Sequence, residues 1–427
     1  MGSWLGLQSN VCTFAITNLE VFVQIMKHFL ADRVNALPSS ATITMNQQAM
    51  DLQAQGHDII NLSIGEPDFK TPLPIQQAAK QAIDAGTYFA YTPVAGYTDL
   101  REAIADKLNR ENNIRCESSQ IVVSNGAKQA IANVLLCLLN PGDEVVVYTP
   151  YWVSYIALIR LAGGKPVLIR GELANNFEAT PEQLDQAITA TTKAVIFSSP
   201  CNPTGHVFSK QTLEAMAAVL AKHPHIFVIA DEIYEYINFI GEHPSMGALP
   251  GMQDRVITIN GFSKGFSMTG WRVGYMAAPT WLAKACEKIQ GQTTGAPSSI
   301  AQRAALAAIQ STSKVIQPMV DAYRKRRDLC LELLQEIPGF RSNMPSGAFF
   351  LFPDVSDYFG YTNGQVVMKN ADVLCMYLLQ EAHVSLVAGG AFGEPNCIRI
   401  SYAAAEEQLR AAIKRIKAAL AKLTPTH

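Results

Sequence analysis

Residues 260–272, Asn-Gly-Phe-Ser-Lys-Gly-Phe-Ser-Met-Thr-Gly-Trp-Arg, begin where an alternating apolar run over 256–260 stops. Lys264 lies there between small neighbours. A lysine becomes a nucleophile toward carbonyls when desolvation or nearby cations lower its pKa and free the amine lone pair. The glycines and serines beside it let a planar ring approach the backbone, and Arg272 adds a planar fork suited to a phosphate. With 34 Lys and Arg in the chain, a lysine in a Gly/Ser loop is ordinarily solvated surface. Lys264 is set apart by what stands at the ends of other apolar runs.

Those runs occupy 120–124, 144–148, 166–169, 194–198, 226–230, 256–259 and 273–277, with helical patterns between most of them. Near-continuous apolar strands alternating with helices predict an α/β fold: a mostly parallel seven-stranded sheet covered by helices. Ligands of such sheets bind outside the carboxyl ends of the strands. After the first run comes Ser124-Asn125-Gly126-Ala127-Lys128-Gln129, opening a helix over 130–139, where free N–H groups and the helix dipole suit an anion. A capped helix start uses the same letters. Pro150-Tyr151-Trp152 follows the second run and offers either an aromatic platform or core packing. Asn202 offers an amide from a loop stiffened by Pro200 and Pro203, with Asn202–Pro203 a candidate for a cis bond. Asp231-Glu232-Ile233-Tyr234 then places a carboxylate where an apolar strand finishes, and a buried carboxylate needs a partner such as a protonated ring nitrogen. Phosphate cradle, aromatic, amide, acid, phenol, lysine and arginine in this order match one cofactor, pyridoxal 5′-phosphate.

The rest of the chain frames this sheet. Among 427 residues, 48% are hydrophobic and 16% charged, a globular composition with room for a large core. Residues 1–25 lack a basic n-region, an unbroken apolar core and an A-x-A-like cleavage site, so they read as an atypical extension ahead of Met26. Helices are expected at 27–34 and 45–55, the second stopped by Gly56. A strand at 59–62 leads to Gly65, whose N–H can face a ligand, and helices at 74–85 and 98–112 flank an aromatic loop at 88–93. Beyond 280 the rhythm changes to helices at 298–310 and 313–336 and strands near 348–353, 384–387 and 397–401. The expected division is therefore an extension (1–25), an arm with part of a small domain (26–65), a large cofactor domain (66–310) and a small α+β domain (311–427).

Several functions are disfavoured. A net charge of −2 gives no nucleic-acid footprint, and the basic run 324–327 reads as a solvated helix face. No segment has the unbroken apolar length of a membrane span. The Gly-rich stretch 389–393 lacks the strand and helix that a dinucleotide site requires. Eight cysteines without Cys-x-x-Cys or Cys/His spacing predict no metal site and free thiols in a reducing cytoplasm.

The ordered stretches Ser39-Ser40-Ala41-Thr42, Gly65-Glu66-Pro67-Asp68-Phe69, Gly126-Ala127-Lys128-Gln129, 150–155, Asn202-Pro203-Thr204-Gly205, 231–234, Ser263-Lys264, 268–272 and Ile398-Arg399-Ile400-Ser401 resemble class I aminotransferases of the fold-type I pyridoxal-phosphate superfamily. The likeness is to bacterial aspartate aminotransferases, over about residues 30–422. The resemblance implies that Lys264 forms the Schiff base and shuttles the proton, that Asp231 pairs with the pyridine nitrogen, and that Asn202 and Tyr234 contact the phenolic oxygen. It also implies that Trp152 stacks on the ring, that Gly126, Ala127, Ser263 and Arg272 serve the phosphate, and that Tyr91 reaches a phosphate across a homodimer interface. Arg399 should grip the substrate α-carboxylate with help from Gly65, Trp152 and Asn202. Lys128, with Ser40 and Thr42, should meet a distal carboxylate; the competing role for Lys128 is at the phosphate or in water. Gly261 departs from relatives that place a phosphate-binding hydroxyl there.

The expected activity is a ping-pong transfer of the amino group of aspartate to 2-oxoglutarate, in the cytoplasm, by an enzyme whose partners are amino-acid and 2-oxo-acid substrates. Prephenate or aromatic amino-acid transamination is the alternative. A carbon–sulfur lyase and a non-catalytic ligand-binding regulator are more distant ones; a cationic Lys128 pocket disfavours the first, and the missing DNA-binding domain and basic face the second.

Overall fold

All seven apolar runs become strands of one sheet: β1 (Ile121–Ser124), β2 (Glu144–Thr149), β3 (Lys165–Arg170), β4 (Thr192–Ser198), β5 (Phe227–Asp231), β6 (Val256–Gly261) and β7 (Gly274–Ala277). The computed structural model describes residues 29–37, 39–311 and 315–426. The sheet order is β1-β7-β6-β5-β4-β2-β3. Every pairing is parallel except those of β7, which runs antiparallel to both β1 and β6. Because the strands are buried on both faces, successive residues feed different cores. Val145 and Val147 pack with Ile131, Val134 and Leu282 on one side. Val146 packs with Leu213, Leu220 and Val228 on the other. Burying each such valine is worth roughly 1.5–3 kcal/mol, which is why the runs carry no polar alternation.

A second, three-stranded antiparallel sheet places Ile398–Ser401 between Val387–Ala388 and Phe350–Leu351. Ile398 and Ile400 join a core with Leu374, Leu378, Leu409 and Ile413 from helices Ala371–Glu381 and Glu406–Leu420. The pleat therefore turns the intervening Arg399 to the opposite face. The short strand Ile60–Asn61 pairs in parallel with Val384–Ser385, holding the chain just before Gly65 beside this sheet.

Several expectations need correction. The helix expected at 45–55 starts earlier, spanning Ala41–Ala54 with Ser40 as its N-cap, so Thr42 lies in its first turn. Gly56 ends it at φ +93°, a left-handed conformation that costs glycine little. Of the helix expected at 27–34, positions 27 and 28 lie outside the described residues and only Asp32–Asn35 is helical. That single turn buries no residue, so nothing extends it. The extension 1–25 also lies outside the described residues. The basic run is not wholly solvated: Arg326 is buried, pairs with Asp68 at 2.8 Å and packs on Phe69, while Arg327 stacks on Phe239 and donates to the Pro345 carbonyl. Guanidinium groups with planar, acidic or carbonyl partners tolerate burial that a bare charge does not. The cis peptide bonds are Thr149–Pro150 and Ser199–Pro200, not Asn202–Pro203; each lies directly at a strand end, whereas Asn202–Pro203 keeps the trans form that most X–Pro bonds prefer. Among the described residues no helix is long and apolar enough to cross a membrane, and the seven described cysteines are free thiols.

Candidate active site

The carboxyl ends of β1, β2, β4, β5 and β6 face a cavity of about 320 Å³. From β1 come Ala127 and Lys128, from β2 Trp152, from β4 Asn202, from β5 Asp231 and Tyr234, and from β6 Ser263 and Lys264. Arg272 reaches the same edge because β7 is antiparallel: it lies two residues before the amino end of β7, which stands where the parallel strands finish. Gly65, Thr42 and Arg399 close the cavity from outside the sheet.

Helix Ala127–Leu138 begins at Gly126 with no side-chain cap, leaving N–H groups of its first turn without a side-chain partner. Gly126 has φ +84°, and a Cβ there would lie 2.5 Å from Arg272 Nη2. Only glycine lets the guanidinium lie against this turn. Arg272, itself left-handed at φ +56°, is fixed by donating to the Thr269 and Asn125 carbonyls at 2.9 and 3.1 Å. The departure at Gly261 also has a cause. Gly261 pairs with Gly274 across β6 and β7, and a Cβ on Gly261 would sit 2.8 Å from Gly274 Cα. A Cβ on Gly274 would in turn strike Ala127 N at 2.4 Å, so this glycine pair seats the helix start against the sheet.

Asp231 is buried, and its Oδ2 accepts from the Tyr155 hydroxyl at 2.6 Å while Oδ1 accepts from Ile233 N–H at 3.2 Å. Burial pushes its pKa up to about 6, against the pull of these two donors. Burial likewise raises the Tyr234 phenol above its ordinary range. Lys264 Nζ donates to the Gly65 carbonyl at 2.6 Å. Its pKa falls to about 8, chiefly through desolvation; Glu66 opposes this and Arg399 and Arg272 add to it. Lys128 is lowered by burial and by Arg272, and its ammonium lies 5.1 Å from the centre of the Trp152 ring.

Arg399 is buried between the Phe350 and Phe392 rings, at 4.6 and 4.9 Å. It donates to Asn202 Oδ1 at 3.0 Å and to the Ser63 carbonyl at 2.5 Å, and its Nε has no partner. Burial lowers its pKa to about 10. Among the described residues none of Lys128, Lys264, Arg272 and Arg399 is paired within 4.0 Å with a carboxylate. Among the described residues Asp231 is the one acidic side chain lining the cavity with them.

Residues 57–416 match the family model described as aminotransferase class I and II. The chain belongs to this family. It is 45% identical over 401 residues to the bifunctional aspartate aminotransferase and glutamate/aspartate-prephenate aminotransferase of Petunia hybrida, covering 93% of this chain and 84% of the relative. The aspartate aminotransferase of Rhizobium meliloti superposes with a TM-score of 0.89 at 38% identity, covering 92% of this chain and 99% of that one. The aspartate aminotransferase of Thermus thermophilus solved with maleate gives 0.85 at 39% identity, covering 91% and 99%. The expected family and fold class are thus borne out.

Three assigned residues of this aminotransferase are not part of the cavity lining: Gly126, which lies beneath the Arg272 guanidinium, Ser40 and Tyr91. Ser40 shares its hydroxyl with Thr42 at 3.0 Å behind the lining, and Tyr91 is fully exposed in the single chain. Sequence reasoning gave no role to Tyr155, to the Ser63 carbonyl or to the two phenylalanines around Arg399. Tyr155 was within reach, standing one position into helix Ser154–Leu161 and three after Trp152. Its ring meets Trp152 edge-on at 5.5 Å.

Proposed function

We propose that this aminotransferase takes the amino group of aspartate and passes it to 2-oxoglutarate, with pyridoxal 5′-phosphate as its cofactor. The observation that carries this reading is the cavity's excess of unpaired cations. A phosphate dianion can occupy Arg272 and the uncapped helix start, and one carboxylate can occupy Arg399 with its unpartnered Nε. Lys128 then remains, and a second carboxylate on the substrate answers it. The maleate of the Thermus structure is a dicarboxylate of this kind, and the relatives' names support aspartate. Prephenate, a dicarboxylate named for the Petunia relative, is the second reading on the same ground.

The residues present fit the cofactor: a buried acid and a half-buried amine share one cavity, and beside it lies a cradle that a Cβ at Gly126 would fill. When bound, the cofactor would supply a carbonyl that accepts and returns an amino group and a ring that draws electrons from the substrate Cα. Asp231, kept largely ionised at neutral pH with Tyr155 donating to it, would hold the proton on the ring nitrogen. Asn202 and Tyr234 would address the phenolic oxygen, Trp152 would cover one ring face, and Ser263 and Ala127 would serve the phosphate. Lys264 Nζ, with a pKa of about 8, would take a proton from the substrate Cα and return it, the task of a base poised near the working pH. Arg399, held by two phenylalanines and two acceptors, would fix the α-carboxylate, with Gly65 beside it, while Thr42 and Ser40 would join Lys128 at the distal end.

A homodimer is part of this proposal. The full exposure of Tyr91 and the 87% exposure of Phe89 support a loop that covers a second copy, where Tyr91 would complete the phosphate site. We also assign the enzyme to the cytoplasm, a reading supported by its free thiols, and keep the division into a large domain (66–310) and a small one (311–427), which the separate sheets support.

The test is a single half-reaction. Enzyme loaded with pyridoxal phosphate, given aspartate and no keto acid, should release one oxaloacetate per site and stop until 2-oxoglutarate is added. Keto acid from another amino donor, with none from aspartate, would overturn the substrate.

A further inference from the structure

We propose that Cys137 and Cys286 form a thiol pair that hydroperoxides oxidise to an intrachain disulfide. Cys137 lies in the last turn of helix Ala127–Leu138, and Cys286 lies mid-way along helix Thr280–Thr293. Cys286 belongs to the core on one face of the large sheet, together with Ile131, Val134 and Leu282, and Cys137 packs against that core from its edge. The two sulfurs are 3.6 Å apart, with the Cys286 thiol donating to the Cys137 sulfur. Closing that gap to a disulfide of about 2.05 Å requires a movement of about 1.5 Å. No other pair of described cysteine sulfurs is in such contact.

The surroundings give the two thiols different roles. Cys137 is half-buried and keeps part of its surface exposed, whereas Cys286 has no exposed surface. The hydrogen bond from Cys286 favours the thiolate on Cys137 and holds its pKa below the usual thiol range. The same bond, with burial, raises that of Cys286. The outer sulfur is therefore the nucleophile and the inner one resolves it.

The chemistry balances. The Cys137 thiolate attacks the O–O bond of the hydroperoxide, an S–O bond forms, and the leaving oxygen departs as water or alcohol after taking up a proton. The Cys286 sulfur then attacks the Cys137 sulfur, an S–S bond forms, the S–O bond breaks, and the hydroxyl leaves as water with the Cys286 proton. Two thiols lose two electrons, and the hydroperoxide gains them. The resulting tie joins the far end of the helix that starts at Gly126 to the helix that follows β7, enclosing the sequence from Trp152 to Arg272.

The experiment treats the full-length protein with hydrogen peroxide, removes the peroxide, unfolds the protein in urea containing iodoacetamide to alkylate every remaining thiol, and maps the unreduced digest by mass spectrometry. We expect the peptides carrying Cys137 and Cys286 to appear joined, and to separate with dithiothreitol. In Cys286→Ala, Cys137 should instead be trapped by dimedone as the sulfenic acid. Peroxide that oxidises other cysteines while 137 and 286 remain fully alkylated would overturn the proposal. So would conversion of wild-type Cys137 to the sulfinic acid with no joined peptide. The wild-type map decides the matter whether or not the variant folds.

Discussion

Two clusters of charge stand on either side of Asp231–Glu232 at the end of β5, one buried and one open to a cavity, and they are built on opposite rules. Away from the cavity, Lys107 is 1% exposed and donates to Glu235 and to Asn112 Oδ1. Asn112 donates in turn to Glu235 at 2.8 Å and to Ser245 at 3.1 Å, and Ser245 donates to Glu232 at 2.8 Å. Burial pushes Glu235 up, but Lys107 and its neighbours outweigh that and hold it below the usual carboxylate range. Lys107 and Glu235 answer each other inside the chain, and Glu232 is met by Ser245 and, at 3.4 Å, by the His243 ring. Among the described residues the cavity side holds four cations with no carboxylate within 4.0 Å. A closed network specifies structure, whereas an open one of a single sign stores demand for an anion.

The sharpest way to break this contrast is to remove one cation from each side. Lys264→Ala should lower oxaloacetate production by roughly 10³- to 10⁴-fold while urea denaturation shows little loss of stability; near-normal turnover would remove Lys264 from its assigned role. Lys107→Met should do the reverse. It leaves Glu235 buried beside Asn112 without its ion-pair partner, costing about 3–5 kcal/mol of stability with kcat/KM for aspartate little changed. Equal stability of the variant and wild type would show that the network is not the structural element described.

Smaller effects sharpen the comparison within the cavity. Lys128→Ala should lower kcat/KM for aspartate about 10- to 100-fold, the worth of a charge-assisted contact, and lower that for alanine much less. Equal losses for both donors would move Lys128 to the phosphate. The smallest effect is a pH dependence of the cofactor-free protein. Lys264 has a pKa of about 8 in the fold against 10.5 ordinarily, so the fold disfavours its charge. That cost is fully present below about pH 8 and fades as pH rises toward 10.5. Melting temperatures should therefore favour Lys264→Met at pH 7, with the gap closing between pH 8 and 10.5; a constant gap would mean that the amine is solvated.

The large sheet was legible because a strand covered on both faces must be apolar at every position, and Val145-Val146-Val147 announces this without any alternation. The site was legible for a related reason, since strand ends are where polar residues first become tolerable, and Asn202, Asp231 and Lys264 each interrupt an apolar stretch there. Contacts decided by the direction of one side chain were not legible. Tyr155 reads as core until its hydroxyl is found on Asp231, and Arg326 reads as one of four basic residues until the helix turns it onto Asp68. The start of the Ala41–Ala54 helix was misjudged although Ser40 stands in the letters as a cap residue, because Ser39-Ser40-Ala41-Thr42 reads equally well as a loop leading into the helix. Tyr91 is a different case, for a residue wholly exposed in one chain acquires meaning only from a second copy.

The reversed strand β7 has a consequence for where this chain can grow. By returning against its neighbours it brings Arg272 to the edge that already holds Lys264, so the residues assigned to the site collect on one rim, opposite the turns that lead into several of the parallel strands. The turns at 140–143, 222–226 and 250–255 precede β2, β5 and β6 on that quiet rim, and Gly142 and Gly251 there have open space around them. Lengthening these turns adds only a modest loop entropy and leaves the cavity intact, whereas the loop after β4 carries Asn202 and has no such freedom. The molecule thus separates a rim that selection must hold still from a rim open to insertions and fusions.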